Sequence, residues 1–284
     1  MSTVPTSSLS ARAVASWEDN AAYWDSSITK HGNKYWKRLQ EPSLARLIGP
    51  SSSPNQKPDP NREYRALELA TGNGLCARWL AHRGASVLAT DACENMLALA
   101  KGHCEPGTVE ESIRFRRVDV TSEEELGALA AEGPFDVVLL NMAAMDIADL
   151  APLAKKLSSL LEVDGVFVAT VLHPVFFTSN ATRSIEVGYS PVTGECEIVR
   201  GKLIKEYMSV PPAVGIAIPG QPVKQVYFHR PIHELFGIFF NAGLVMDAME
   251  ELAFTEEDAE DDRIESSSNY TQLPAILSFR MRLP

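Results

Sequence analysis

The chain has 284 residues, 45% of them hydrophobic and 22% charged, with a formal net charge of -11 at pH 7. That length fills one large core, or a core domain with an elaborated cap, and the acidic balance disfavours nucleic acid as a partner because a polyanion needs a basic surface. No apolar run approaches the roughly 20 residues that span a bilayer and the first residues lack the apolar centre of a signal peptide, so a soluble, cytoplasmic protein with no membrane partner is expected.

Residues 1–12 read as a flexible arm. A helix-patterned segment follows to residue 49, unusually aromatic with Trp17, Tyr23, Trp24, Tyr35 and Trp36. The stretch PSSSPNQKPDPN, rich in Pro, Ser and Asn, makes residues 50–62 a linker loop before a main domain at 63–284. From residue 65 strand and helix alternate: RALELA, LCARWLAHRG, ASVLATD, ENMLALAKGHC, IRFRRVDV, SEEELGALAAEG, FDVVLLNM, DLAPLAKKLSSLLEVDG and VFVATVLH. Near-continuous apolar strands joined by amphipathic helices predict an α/β fold with a doubly wound parallel sheet.

Residues 174–226 interrupt the rhythm as an insert, with a hairpin expected near GECEIVRGKLIKEYMSV. RPIHELFGIFFNAG then reads as a helix opened at Pro231 and stopped by Gly243, and LVMDAMEELAF and PAILSFRMRL as two last strands. The acidic run EELAFTEEDAEDD, residues 250–262, lacks the glycine of a calcium loop and reads as a solvated loop. Cys76, Cys93, Cys104 and Cys196 have no C-x-x-C spacing, so reduced thiols are expected. In HRPIH, Pro231 separates the histidines and no third ligand is evident, so no metal is expected.

In a parallel sheet the ligand lies across the carboxyl ends of the strands. The polar and small residues there are Glu68 to Gly74, Asp91, Asp119 and Asn141. Gly72-Asn73-Gly74-Leu75-Cys76-Ala77 fits the turn of a nicotinamide-dependent dehydrogenase, and Asp91 fits a ribose-binding carboxylate in either of two cofactor readings. Three features separate them. Ala70 stands where a dehydrogenase has its first glycine, Asp119-Val120 suits an adenine edge, and no Tyr-x-x-x-Lys pair follows the later strands.

Glu68-Leu69-Ala70-Thr71-Gly72-Asn73-Gly74, Asp91-Ala92-Cys93-Glu94-Asn95-Met96, Asp119-Val120 and FDVVLLNMAAMDIADL together resemble the class I S-adenosylmethionine-dependent methyltransferases, over about residues 15–255. The resemblance implies a Rossmann-like seven-stranded sheet whose last, antiparallel strand enters between the fifth and sixth. It places Glu68, Ala70, Thr71, Gly72 and Gly74 against the methionine part of S-adenosyl-L-methionine and Asp91 with Ala92 at the ribose. Met96 and Val120 would flank the adenine read by Asp119, and the Asn141-Met142 backbone would face the amino group. Tyr23 and Trp24 would form a helical lid that also borders the cofactor.

Methyl transfer requires mainly a nucleophile held in line, plus a base where a proton must leave. His173 and His229 are the candidate bases. The insert supplies apolar residues, Phe176, Phe177, Val214, Ile216 and Ile218, and with Asp146, Tyr207 and Arg230 these make the candidate acceptor pocket for a small, largely apolar molecule of secondary metabolism. Ala70 and the want of an obvious base keep open a non-methylating rearrangement or cyclisation on the same fold. A regulatory subunit and a homodimer are likewise open.

Overall fold

The computed structural model describes residues 5–49, 62–177, 181–260 and 263–284. Five parallel strands follow the expected alternation: β1 (Arg65–Leu69), β2 (Ser86–Asp91), β3 (Arg114–Arg117), β4 (Phe135–Asn141) and β5 (Leu161–Leu172). The insert adds a hairpin of β6 (Ala181–Tyr189) and β7 (Cys196–Ile204) and a second pair, β8 (Ala213–Gly215) and β9 (Gln225–Tyr227). β10 (Val245–Leu252) and β11 (Ile276–Arg282) complete a seven-stranded sheet of order β10-β11-β5-β4-β1-β2-β3. β11 runs antiparallel to both neighbours, between β5 and β10, as the resemblance implied.

Side chains alternate across a strand, so each strand feeds two cores. Leu67, Leu69, Val138, Leu140, Phe167 and Phe279 pack on one face with α5 (Glu123–Ala130), α6 (Ala151–Leu160) and α7 (Ile232–Asn241). Ala66, Val137, Leu139 and Val168 pack on the other with α2 (Glu41–Ile48) and α3 (Leu75–His82). On the first face Phe279 meets Phe236 edge-on at 5.0 Å between ring centroids, and Phe167 lies 5.1 Å from Phe239.

Four expectations need correction. Residues 6–12 are the opening turns of α1 (Thr6–Ile28), not a flexible arm; the stretch has no internal Pro or Gly to break a helix. Residues 161–165 do not extend α6: Leu161 pairs with Phe135, and a bulge with Asp164 at φ 67° leads into the rest of β5. The hairpin begins earlier than read, with β6 supplying its first strand and a turn through residues 190–195. Over its described residues, 250–260, the acidic run is only partly a solvated loop: 250–252 close β10 and Asp258 is buried. Glu250 receives a bidentate pair from Arg46 at 2.9 and 2.7 Å, Arg38 binds Asp258, and Lys34 reaches Glu260 at 2.9 Å. The linker read at 50–62 lies, but for residue 62, outside the described residues.

α1 crosses the carboxyl end of the sheet and is fastened by side chains at several points. Glu18 accepts the N–H groups of Glu94 and Asn95 at 2.7 and 2.9 Å, occupying free donors in the first turn of α4 (Glu94–His103). Asn20 donates to Val223 O at 2.9 Å and accepts from Val223 N at 3.0 Å, joining the helix to the insert.

Phe279→Ala would leave a cavity against three phenyl rings. A loss of about 3 to 5 kcal/mol in urea unfolding is expected.

Candidate active site

The connections leave β1 and β4 on opposite faces of the sheet, which opens a crevice at the carboxyl ends of these adjacent strands. A cavity of about 490 Å3 occupies it, floored by strand ends and roofed by α1 and part of the insert. Both turns bordering it hold a non-glycine residue in the left-handed region, Ala70 at φ 52° after β1 and Met142 at φ 53° after β4. Gly72 at φ 56° continues the first turn. Ala70 therefore adopts the backbone that a glycine would favour, and the turn forms despite its methyl group.

Glu68 is buried on this floor and accepts the Thr71 hydroxyl at 2.6 Å. Burial pushes its carboxyl up to about 8, against the pull of Thr71, Cys76 and the Arg78 guanidinium. Asp91 accepts Gly72 N at 2.8 Å and Cys93 N at 2.9 Å, one on each oxygen, and burial pushes it up to about 6. Each of its oxygens keeps a second lone pair for another donor. Asp119 uses Oδ1 to accept the amide and hydroxyl of Thr121 at 2.8 and 2.7 Å. Asn141 donates to Gln40 at 3.0 Å and accepts from Thr170 at 2.6 Å.

The cavity gathers most of the expected residues: Trp24, Glu68, Ala70, Thr71, Gly72, Asp91, Ala92, Met96, Asp119, Val120, Asn141, Met142, Asp146 and Phe177. Gly74 does not line it; it precedes α3 at φ 75°, and a Cβ there would lie 2.9 Å from that of Ala100. Its role is close packing of α3 on α4.

Neither candidate base lines the cavity. His173 is buried at the carboxyl end of β5, with Nε2 2.8 Å from Glu251 Oε1 and Nδ1 accepting Val175 N at 3.3 Å. Burial lowers its pKa, opposed by Glu251, and the Phe176 ring covers it at 4.8 Å. His229 Nε2 bonds Tyr207 O at 2.7 Å, and the Tyr207 hydroxyl accepts Ile232 N at 2.8 Å at the start of α7. Phe176, Tyr207 and Arg230 are thus structural neighbours of the cavity rather than lining. Tyr23 also points elsewhere, donating to Pro219 O.

Trp17, Asp25, Tyr35, Gln40, Asn73 and Tyr227 also line the cavity, and the sequence reading gives none of them a role of its own there. A signal existed for Trp17. Seven residues separate it from Trp24, two helical turns on one face, and their rings lie 4.9 Å apart. Tyr23 falls about 100° away on the same helix. Asp25 accepts from Asn73 at 2.9 Å and so ties the roof to the glycine turn, a pairing across 48 residues that no local pattern reveals.

A family model described as a methyltransferase domain matches residues 67–169. The chain is 30% identical over 118 residues to a ubiquinone biosynthesis O-methyltransferase from Dinoroseobacter shibae, across 42% of this chain and 45% of that enzyme. It thus spans about half the length of the curated relatives it matches. An S-adenosylmethionine-dependent methyltransferase from Mesorhizobium loti superposes with a TM-score of 0.60 at 20% identity, covering 89% of this chain and all of that one. A DhpI complex with S-adenosylhomocysteine gives 0.54 at 15% identity and covers 97% of each chain. Sheet order and superposition agree on one architecture, the Rossmann-like fold of these methyltransferases. Residues 67–169 thus match a methyltransferase domain, and the whole fold is similar to that of S-adenosylmethionine-dependent methyltransferases.

Two expectations follow for the ligand-free protein. Glu68 has its pKa raised on folding from 4.5 to about 8, so its contribution to stability is full below about 4.5 and is lost as pH rises towards 8. Thermal melts should show Glu68→Gln gaining on the parent protein across that window, while the slope from Asp91 is common to both. Ala70→Gly relieves left-handed strain of about 1–2 kcal/mol at an unfolded-state entropy cost of about 0.4–1 kcal/mol. A small rise in melting temperature is expected.

Proposed function

We propose that this chain transfers the methyl group of S-adenosyl-L-methionine to a small molecule held beneath α1 and the insert. The observation that carries this reading is the convergence of Glu68, Asp91, Asp119 and Asn141, from four different strand ends, on one cavity beside the left-handed turn at Ala70.

The residues present fit the cofactor. Asp91 retains acceptor capacity for ribose hydroxyls, and Met96 and Val120 offer apolar flanks for an adenine whose amine Asp119 would accept. Glu68 and the Ala70 to Gly74 turn would receive the methionine part, near the Asn141-Met142 backbone. The Trp24 indole N–H is buried in the cavity without a partner among the described residues, a donor ready for a bound ligand. When bound, the cofactor supplies a methyl carbon on a sulfonium, open to in-line displacement. The chain's part is then to exclude water and hold the nucleophile in line.

The far wall is mostly apolar, with Met145, Ile147, Ala148, Ile218 and the Tyr227 ring, which supports a small organic acceptor. The net charge of -11 supports a small molecule over a nucleic acid.

Calorimetry tests the reading. S-adenosylmethionine and S-adenosylhomocysteine are expected to bind with micromolar Kd, and Asp91→Ala to weaken both by about 10- to 100-fold, the worth of hydrogen bonds to a charged group. Absence of binding by folded protein would refute it. With a methyl-labelled donor, label found on the acceptor supports transfer, whereas a new product with all label retained on the donor would point to a non-methylating reaction.

A further inference from the structure

Asp146 closes a short 3-10 turn, Ala144–Asp146, just after β4, and lines the cavity. Its Oδ1 is buried with no hydrogen-bond partner among the described residues. The carboxyl is supported by the Trp17 side chain, and burial holds it well above the usual carboxylate range. The turn is stiff: Arg230 donates to the carbonyls of Ala144, Ile147 and Ala148 at 2.9, 2.7 and 3.0 Å, and Phe228 N donates to Met145 O at 2.8 Å. The backbone that carries Asp146 cannot shift outward without breaking these bonds.

Among the described residues no cation pairs with it. The Arg230 guanidinium is engaged by carbonyl oxygens of the loop, those of Ala144, Ile147 and Ala148. The Tyr227 hydroxyl donates to Gln225 at 2.8 Å, so its proton is not available to Asp146. Among the described residues Arg183 is the one cationic side chain lining the cavity, and its hydrogen bond goes to Ser267 at 3.4 Å. A carboxylate with one oxygen buried and unpartnered costs on the order of several kcal/mol unless a donor or counter-charge meets it.

We propose that the acceptor molecule is an amine, bound as its ammonium ion with the nitrogen on Asp146 Oδ1 and the aromatic faces of Trp17 and Tyr227 beside it. This rests on the methyl-transfer reading and names the substrate class. An ammonium supplies both the missing charge and the missing donor, and indole and phenol rings attract it further. A neutral hydroxyl supplies only the donor. The ammonium has no lone pair to attack with, so one proton passes from nitrogen to Asp146 Oδ1. The freed pair then forms the nitrogen–carbon bond as the methyl carbon's bond to sulfur breaks with its electrons staying on sulfur. The methylated nitrogen leaves with the positive charge. Asp146 is therefore the base that neither histidine provides.

The test uses the whole chain. S-adenosylhomocysteine affinity is measured first, so failure of the cofactor reading shows at that stage, separately from the acceptor question. Protein saturated with it is then titrated with benzylamine and with benzyl alcohol, a neutral molecule of the same shape. Benzylamine is expected to bind at least about tenfold more tightly. Asp146→Asn should abolish that preference while leaving S-adenosylhomocysteine affinity within about twofold. Equal binding of the probes, preference for the alcohol, no binding of benzylamine at millimolar concentration, or an unchanged preference in Asp146→Asn would each overturn the proposal. Should that variant not fold, the comparison of probes on the parent protein decides alone.

Discussion

The reversal of strand order between β1 and β4 is the constraint on which the site depends. A parallel sheet whose connections leave to opposite faces must open between those two strands, and side chains from both ends fall into the gap. The backbone meets this demand with left-handed residues at both exits, Ala70 and Met142. Each is held by the sheet itself. Thr71 N donates to Thr90 O at 2.8 Å, and Met142 N donates to Thr170 O at 2.9 Å. Strain of this kind persists where surrounding structure over-determines the chain, here at the rim of the cavity.

Floor and roof are built by different physics. The floor rests on two continuous apolar cores, where burial along whole strands fixes register and position. The roof is fastened at points: Glu18 to α4, Asn20 to the insert, Asp25 to the glycine turn, and Lys34, Arg38 and Arg46 to the acidic run. Single exposed ion pairs are worth at most about 1 kcal/mol. Acting together on helices that also bury aromatic rings, they set where the roof sits rather than whether the sheet folds.

This division explains what could be read from the sequence. Strand ends come in order along the chain, so Glu68, Asp91, Asp119 and Asn141 were legible from alternation and spacing, and the likeness to a family gave them roles. The antiparallel last strand came from that likeness alone; nothing local in PAILSFRMRL sets its direction. The roof was poorly legible because its contacts join distant positions. The acidic run looked solvated because its cationic partners lie some 200 residues away. His173 and His229 drew attention as titratable groups near strand ends, yet their ring nitrogens serve Glu251 and a backbone carbonyl. The family match at residues 67–169 covers the floor and stops short of α1 and the insert, the segments that would shape the acceptor pocket.

α1 reads every compartment of the cavity from one rigid rod. Trp17 stands over the pocket beside Asp146, Glu18 sits on the start of α4, Trp24 lies near Met96, and Asp25 grips Asn73. These contacts share one angular frame, in which each residue turns the helix by about 100°. A substitution on that face alters one compartment and leaves the others in place. A single-residue insertion between Trp17 and Trp24 would rotate one set of contacts against the other and undo both. Side chains on this face of the roof can thus be exchanged one at a time, while the spacing along α1 stays fixed.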